Sequence, residues 1–143
     1  MSEQSGGSFD LREAIDPDSQ KILDGLLRKR LYVAFVRPVR TLDEQLAREI
    51  NALLPKHWEW LLEQEGHGRV FAAGPFVGED EESYSGDGMF IIQAASLSAA
   101  RSIVHGDPIV ASGLRTAEVR PWELNEGGLT LTVRFSNSGF ELA

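Results

Sequence analysis

Histidine is the residue type that most restricts the chemistry open to this chain, because the sequence contains three histidines and no cysteine. The lack of cysteine excludes disulfides, thiol nucleophiles and thiolate metal sites. His105 falls in the last turn of a predicted helix, where the helix dipole favours it without any function, and His67 follows a glycine in a predicted turn. His57 lies on the border of an apolar helical stripe and is the candidate for proton transfer. The alternative is a packed, hydrogen-bonded histidine of the core.

Asp107 is a carboxylate that needs a partner. It follows a predicted helix and Gly106, so it faces the partial negative charge at the helix C-terminus. That position is unfavourable unless a cation or a hydrogen-bond donor meets the carboxylate. Gly106 and Pro108 restrict the backbone on either side of it. The sequence therefore predicts that a donor or a cation contacts Asp107.

A few further side chains have types suited to holding a small ligand. Arg37 and Arg115 each adjoin a predicted strand, and a guanidinium can hold a carboxylate through two hydrogen bonds. Trp60 lies off the predicted apolar stripe and is a pocket or interface candidate, whereas Trp58 falls on the stripe and is assigned to packing. Ser112 could hydrogen-bond a ligand. The alternatives are surface arginines and a serine that only stabilises a turn.

Metal and cofactor chemistry is not indicated by the motifs. The acidic segment 79–87 lacks the spacing of a calcium-binding loop and reads as a solvated hairpin loop. No phosphate-binding motif is present, and the histidines do not have HxxxH spacing. No nucleophilic triad is evident either. We therefore expect no metal, no cofactor and no covalent nucleophile.

Length and charge set the class of protein. The chain has 143 residues, enough for one domain with its own core, and a formal net charge of -8. Nucleic-acid grooves and anionic membrane surfaces require clustered Lys and Arg, so neither is an expected partner. No signal peptide or membrane span is visible, and we expect a cytoplasmic protein.

The elements that must position these residues follow from periodicity. Asp16 and Pro17 are typical of a helix start, and the basic run 28–30 suits its last turn. Leucine or isoleucine recurs every four residues from Leu42, which predicts a helix that Pro55 interrupts and that resumes to near Gly66. Ser96 is predicted to cap a later helix. The remaining elements are predicted strands at 31–36, 69–76, 89–95, 116–124 and 129–135, and a helix at 97–105.

This order predicts an α+β fold of the ferredoxin-like type, βαββαβ, with both helices on one face of an antiparallel sheet. The strands 31–36 and 89–95 are apolar on both alternating faces, so the second face needs a cover. We expect a homodimer with sheets packed face to face, and the alternative cover is the N-terminal helix or the last strand of the same chain. The predicted domain is 31–124. It is flanked by an extension at 1–30, with a disordered start and a short helix, and by an extension at 125–143 with a strand.

The core of the chain resembles the YciI-like, or YCII-related, family of small dimeric α+β barrel proteins. The resemblance rests on "KHWEWLLEQEGHGRVFAAGPF" and on "GDGMFIIQAASLSAARSIVHGDPIVASGLRTAEVRPWEL", and it runs from Leu31 to Leu124. It implies a His–Asp pair in a cleft, with His57 at the start of the first helix and Asp107 after the second. Asp107 would then orient one ring nitrogen and leave the other free to move a proton.

The resemblance implies a small-molecule enzyme with isomerase or lyase chemistry on a small acid or lactone. The alternative is a non-enzymatic dimeric module that binds a small ligand or a partner, in which the pair is only structural. The substrate-binding candidates are Arg37, Trp60, Ser112 and Arg115.

Overall fold

The protein is described here by a computed structural model, which covers residues 8–136 and 139–142. A 3₁₀ turn, Leu11–Ala14, precedes the first α-helix. The helices are α1 (Pro17–Asp24), α2 (Glu44–Gly66), α3 (Leu97–Val104) and α4 (Pro108–Ala111). The strands are β1 (Lys29–Pro38), β2 (Val70–Pro75), β3 (Gly88–Ile92), β4 (Arg115–Leu124), β5 (Leu131–Arg134) and β6 (Gly139–Leu142).

Strands β1 to β4 form one four-stranded sheet in the order β2-β3-β1-β4. β3 runs antiparallel to both β1 and β2, and a bulge between Val70 and Ala72 shifts the register of β2. β1 and β2 are thus separated by β3, as the split βαβ arrangement requires. The predicted α+β, ferredoxin-like fold is confirmed.

The main core lies on the face of the sheet that carries the helices. Alternation along β1 and β3 directs one set of side chains to this face. The cluster there comprises Tyr32, Ala34, Val36, Val70, Phe90, Ile92, Ala100, Val104, Val110 and Val119. A second, smaller cluster joins Leu46 and Ile50 of α2 to Ile109 of α4. α4 is therefore fixed against α2 by apolar contact, which matters for the residue that precedes it.

α2 is one continuous helix of 23 residues, so the predicted interruption at Pro55 is wrong. Pro55 removes one backbone donor, but its side chain is exposed. The buried positions Leu46, Ile50, His57 and Gln64 continue on both sides of it. Packing on the buried side maintains the helix through the proline. His57 accordingly lies past the middle of α2 and not at the start of a helix.

The two tryptophans of α2 exchange their predicted roles. Trp58, assigned to packing, is 56% exposed, whereas Trp60, assigned to a pocket or interface, is half-buried against the core. Each residue of an α-helix advances by about 100°, so a four-residue step overshoots one turn by about 40°. Leu42 lies before the start of α2, and three such steps from Leu46 to Trp58 accumulate about 120°. The predicted stripe therefore turned away from the core before it reached Trp58.

The predicted N-cap residues agree with the structure better than the predicted helix ends do. Asp16 caps α1 by accepting from the backbone N–H groups of Asp18 and Ser19, and these bonds hold its pKa below the usual range. Ser96 caps α3 by accepting from the N–H of Ala99. α1 ends at Gly25, however, and Lys29 and Arg30 already belong to β1. The basic run is therefore not in the last turn of the helix, since Gly25 ends it early.

The chain divides into two compact units, one of which is residues 30–123. The other combines the described residues before Arg30 with those after Glu123. Its β5 and β6 form a separate antiparallel pair, so the predicted last strand has a partner strand that periodicity did not indicate. The strand was expected to be wet on one face only, but every residue of β5 is exposed. The start of the chain, residues 1–9, was predicted to be disordered. Residues 1–7 of it lie outside the described part of the chain. No helix in that part is both long and apolar enough to cross a bilayer.

Candidate active site

His57 contacts Asp107 directly, although 50 residues separate them in the sequence. His57 Nδ1 lies 2.7 Å from Asp107 Oδ1. The imidazole side chain is 8% exposed and the aspartate side chain is fully buried. The carboxylate has no proton to donate when it is ionised, so it fixes the tautomer with hydrogen on Nδ1. Nε2 makes no hydrogen bond to a described residue.

α4 offsets the unfavourable interaction between the Asp107 carboxylate and the C-terminus of α3. Asp107 is the N-cap of α4, and its Oδ1 also accepts from the N–H of Ile109 at 3.2 Å. Pro108 occupies the first helical position, which suits its fixed φ. The backbone N–H of Asp107 donates to the carbonyl of Val104 and so closes α3. One residue therefore ends one helix and begins the next, with its carboxylate at the favourable, positive end of α4.

Two aromatic rings define the orientation of the imidazole. The ring centroids of Trp60 and Phe90 lie 6.3 Å and 6.1 Å from that of His57, and 5.8 Å from each other. Gly106 provides room for Trp60, because a Cβ at this position would lie 3.2 Å from the indole Nε1. His57 is thus held between two aromatic rings and a hydrogen bond to Asp107.

A cavity of about 630 Å³ opens beside His57, a volume typical of small-molecule sites. It lies between α2, the sheet and the loop that joins β2 to β3. The polar groups on its surface include His57, Arg115, Asp87 and Tyr84. Most of the wall is apolar and includes Val36, Leu42, Ile50, Leu54, Leu61 and Phe90. Such a surface suits a compact organic molecule with a polar group at one end.

Arg115 is the basic residue of this cavity. Burial lowers the pKa of its guanidinium, and the negative charges of Asp107 and Asp87 oppose that shift. Its Nε is buried and has no hydrogen-bond partner among the described residues, and the same is true of Asp107 Oδ2.

The other expected ligand-binding residues lie elsewhere. Arg37 lines a shallower groove of about 320 Å³ together with Arg40, and this groove shares Leu42 and Asp87 with the cavity. Trp60 is not among the residues that line the cavity, because it packs behind His57.

Ser112 bonds only to its own loop. Its hydroxyl donates to the carbonyl of Ile109 at 2.7 Å and accepts from the N–H of Leu114 at 3.4 Å. This geometry agrees with the alternative reading of a serine that stabilises a turn.

Trp58, Tyr84 and Asp87 are among the cavity residues that were not expected at the site. Tyr84 and Asp87 belong to the acidic segment, which reads as a solvated loop. The signal available in the sequence was the glycine at position 86. In the structure Gly86 has a φ of +90° and lies too close to Pro38 for a side chain. The remaining histidines are surface residues, as expected: His105 bonds to the carbonyl of Arg101, and His67 lies 3.9 Å from Glu63. Within the described ranges, no group of three or more acidic or histidine side chains could hold a metal ion.

Comparison with known proteins gives matches to this core. A family described as the YCII-related domain matches residues 31–123. The uncharacterized protein YjpA of Bacillus subtilis (strain 168) is 34% identical over 70 residues, which cover 49% of this chain and 75% of YjpA.

A solved structure also matches. It is 5-chloro-2-hydroxyhydroquinone dehydrochlorinase (TftG) from Burkholderia phenoliruptrix AC1100, in complex with 2,5-dihydroxybenzoquinone. Its TM-score is 0.51 at 21% identity, and the match covers 64% of this chain and 92% of the other. At this identity the likeness supports the fold alone.

Proposed function

The chain belongs to the YCII-related domain family, and we propose that its His57–Asp107 cleft binds a small organic molecule and transfers a proton on it. One observation carries the proposal. His57 uses Nδ1 for a buried carboxylate while the same ring lines a cavity large enough for a ligand. A titratable ring that a carboxylate orients and that lines a ligand-sized cavity is the arrangement that general acid–base catalysis requires.

The chemistry follows from the tautomer. With hydrogen on Nδ1, the lone pair on Nε2 is the base, and Asp107 stabilises the imidazolium that forms when Nε2 takes a proton. In an isomerisation, His57 removes a proton from one carbon and returns it to another. In an elimination, His57 removes a proton from one carbon, and the electron pair of that C–H bond forms a double bond to the neighbouring carbon. The leaving group departs from the neighbouring carbon with its bonding electron pair, and the proton on His57 passes to solvent. Neither route uses a metal or a covalent intermediate.

The cavity favours a small acid or lactone as substrate. Its apolar wall suits a ring or short carbon skeleton, and its lining includes His57 and the guanidinium of Arg115, which suits a carboxylate or a carbonyl oxygen. TftG, named as a dehydrochlorinase of a substituted hydroquinone, is a fold relative that processes a compact cyclic molecule. That name supports small-molecule chemistry of the elimination type here. Of the expected substrate-binding residues, Arg115 lines the cavity and is the one we propose to contact the ligand.

A binding module without catalysis is the second candidate, and one observation favours it. Asp107 Oδ1 also caps α4, so the pair has a structural role whatever else it does. Two substitutions separate the candidates. His57→Ala removes both the base and the partner of Asp107, and we expect it to lower stability by about 1–3 kcal/mol because a buried carboxylate loses its donor.

His57→Asn is the matched variant. Its amide can donate to Asp107 in place of Nδ1, but it provides no base at the position of Nε2. An enzyme loses turnover of small acids and lactones in both variants while His57→Asn keeps its melting temperature. A binding module shows no turnover even in the unaltered chain. Its ligand affinity should fall in the less stable His57→Ala variant and be kept in His57→Asn.

We further propose that the protein is a two-fold homodimer that packs sheet against sheet. Val33 pairs with Ile91 and Phe35 with Met89, and alternation directs these four side chains away from the helices. Phe35, Met89 and Ile91 are only partly buried. An apolar sheet face of this kind is typical of an association surface.

A further inference from the structure

Arg115 occupies a position that its place in the chain does not suggest. It begins β4, eight residues after Asp107, and the intervening chain turns back through α4 and Gly113, whose φ is +81°. The N–H of Val39 bonds to the carbonyl of Leu114 and fixes this return to the end of β1. Arg115 therefore lies on the same sheet face as Ala117 and Val119 of the core, and it lines the cavity with His57.

Asp107 and Arg115 present complementary buried atoms. Asp107 uses Oδ1 for two hydrogen bonds, whereas its Oδ2 is buried and has no partner among the described residues. Arg115 Nε is a buried donor that also has none. One group lacks a donor and the other lacks an acceptor, in a part of the protein where unmatched polar atoms are costly.

The charges of the two side chains also favour an interaction between Arg115 and Asp107. Burial lowers the pKa of Arg115, which by itself disfavours the cation, and the negative charge of Asp107 is the larger of the two that offset this effect. The charged and titratable groups around the His57 ring are Asp107, Arg115 and, from the loop before β3, Asp87 and Tyr84. The cavity-lining neighbours of His57 on α2 and β1 are uncharged. Arg115 is thus the cation of this set.

We infer that Arg115 is a positioning residue that acts through Asp107: it balances the carboxylate so that His57 stays uncharged and available as a base. This role rests on the function proposed above. An unbalanced buried carboxylate stabilises imidazolium, and imidazolium cannot accept a proton.

The test is an NMR titration of the His57 ring in the full chain, with histidine labelled with ¹³C and ¹⁵N. His57→Asn identifies the His57 signal among the three histidines. Arg115→Met removes the cation, and we expect the midpoint of the His57 titration to rise by about one pH unit, a tenfold gain in proton affinity. Arg115→Lys keeps the charge and should return the midpoint to within about 0.3 of the unaltered value.

Arg101→Met is the control for overall charge, because Arg101 is exposed on α3 and does not line the cavity. It should leave the midpoint unchanged. If Arg115→Met lacks dispersed spectra, Arg115→Gln replaces it with the same expectation. A midpoint that is unchanged or lowered in the folded charge-removing variant overturns the inference. The titration uses no substrate, so an absence of turnover would contradict the proposed function and leave this result to stand on its own.

Discussion

The two nitrogens of His57 differ in their contacts, since Nδ1 has a hydrogen-bond partner and Nε2 has none among the described residues. Nδ1 contacts a carboxylate that is itself fixed by the start of α4. The same ring lines a cavity with mostly apolar walls. The sequence could single out His57 because of its place on the border of an apolar stripe. Periodicity in the sequence could not predict the contact with Asp107, because that contact depends on how α2 packs on α4.

Gly86 gives a residue-scale prediction for the loop beside the cavity. Its φ is +90°, and a Cβ here would lie 2.9 Å from Cγ of Pro38. Gly86→Ala should lower the free energy of unfolding by about 2–3 kcal/mol, since strain and a steric clash add together. Gly68 is the control, with a φ of +72° and nothing near its Cβ position. Gly68→Ala should lose only about 1 kcal/mol. Equal losses in urea unfolding would show that the contact with Pro38 does not restrain the loop.

At the scale of elements, α2 shows how a local rule and a tertiary one compete. Proline predicts an interruption, but the apolar side of α2 packs before and after Pro55, and burial of that side outweighs one lost hydrogen bond. α4 and β6 were missed for a different reason. Each has four residues, too few for a periodic pattern to appear. Capping residues were more informative, because Asp16 and Ser96 act on the next three residues only.

Pro55 offers a test of this account of α2. Replacing it with alanine restores a donor for the carbonyl of Asn51 and removes a poor helix former from an exposed position. Pro55→Ala should therefore raise the free energy of unfolding by about 1–3 kcal/mol. Lys56→Ala, at the neighbouring exposed position, should change it by less than about 0.5 kcal/mol. Both values come from urea unfolding followed by circular dichroism. A less stable Pro55→Ala chain would mean that the proline shapes the helix for its packing.

At the scale of the whole molecule, the two faces of the four-stranded sheet differ in cover. The helices bury one face, whereas Phe35, Met89 and Ile91 on the other are only partly buried. The sequence could predict this second apolar face, since it follows from two-faced strands. It could not predict the cavity, because Tyr84 and Asp87 reach it from a loop whose composition indicates only solvation.

The homodimer proposal predicts how charge on this face acts. The unaltered chain should have twice the 15.8 kDa mass of one chain by light scattering at micromolar concentration. Ile91→Glu places a charge where two sheets would meet, so its mass should fall to that of one chain. Glu49→Lys, at an exposed position on α2, should leave the doubled mass intact. A single-chain mass for the unaltered protein would refute the dimer.

The most direct test of the central claim is the transfer of deuterium from solvent to a bound molecule. The unaltered chain is incubated in D₂O with a panel of small carboxylic acids and lactones, and NMR follows the signal of each acidic C–H. The account predicts that at least one compound that binds beside His57 loses this signal. It also predicts that the exchange rate falls at least a hundredfold in the folded His57→Asn variant. Exchange that persists in His57→Asn, or tight binding beside His57 without exchange by any compound, would contradict it.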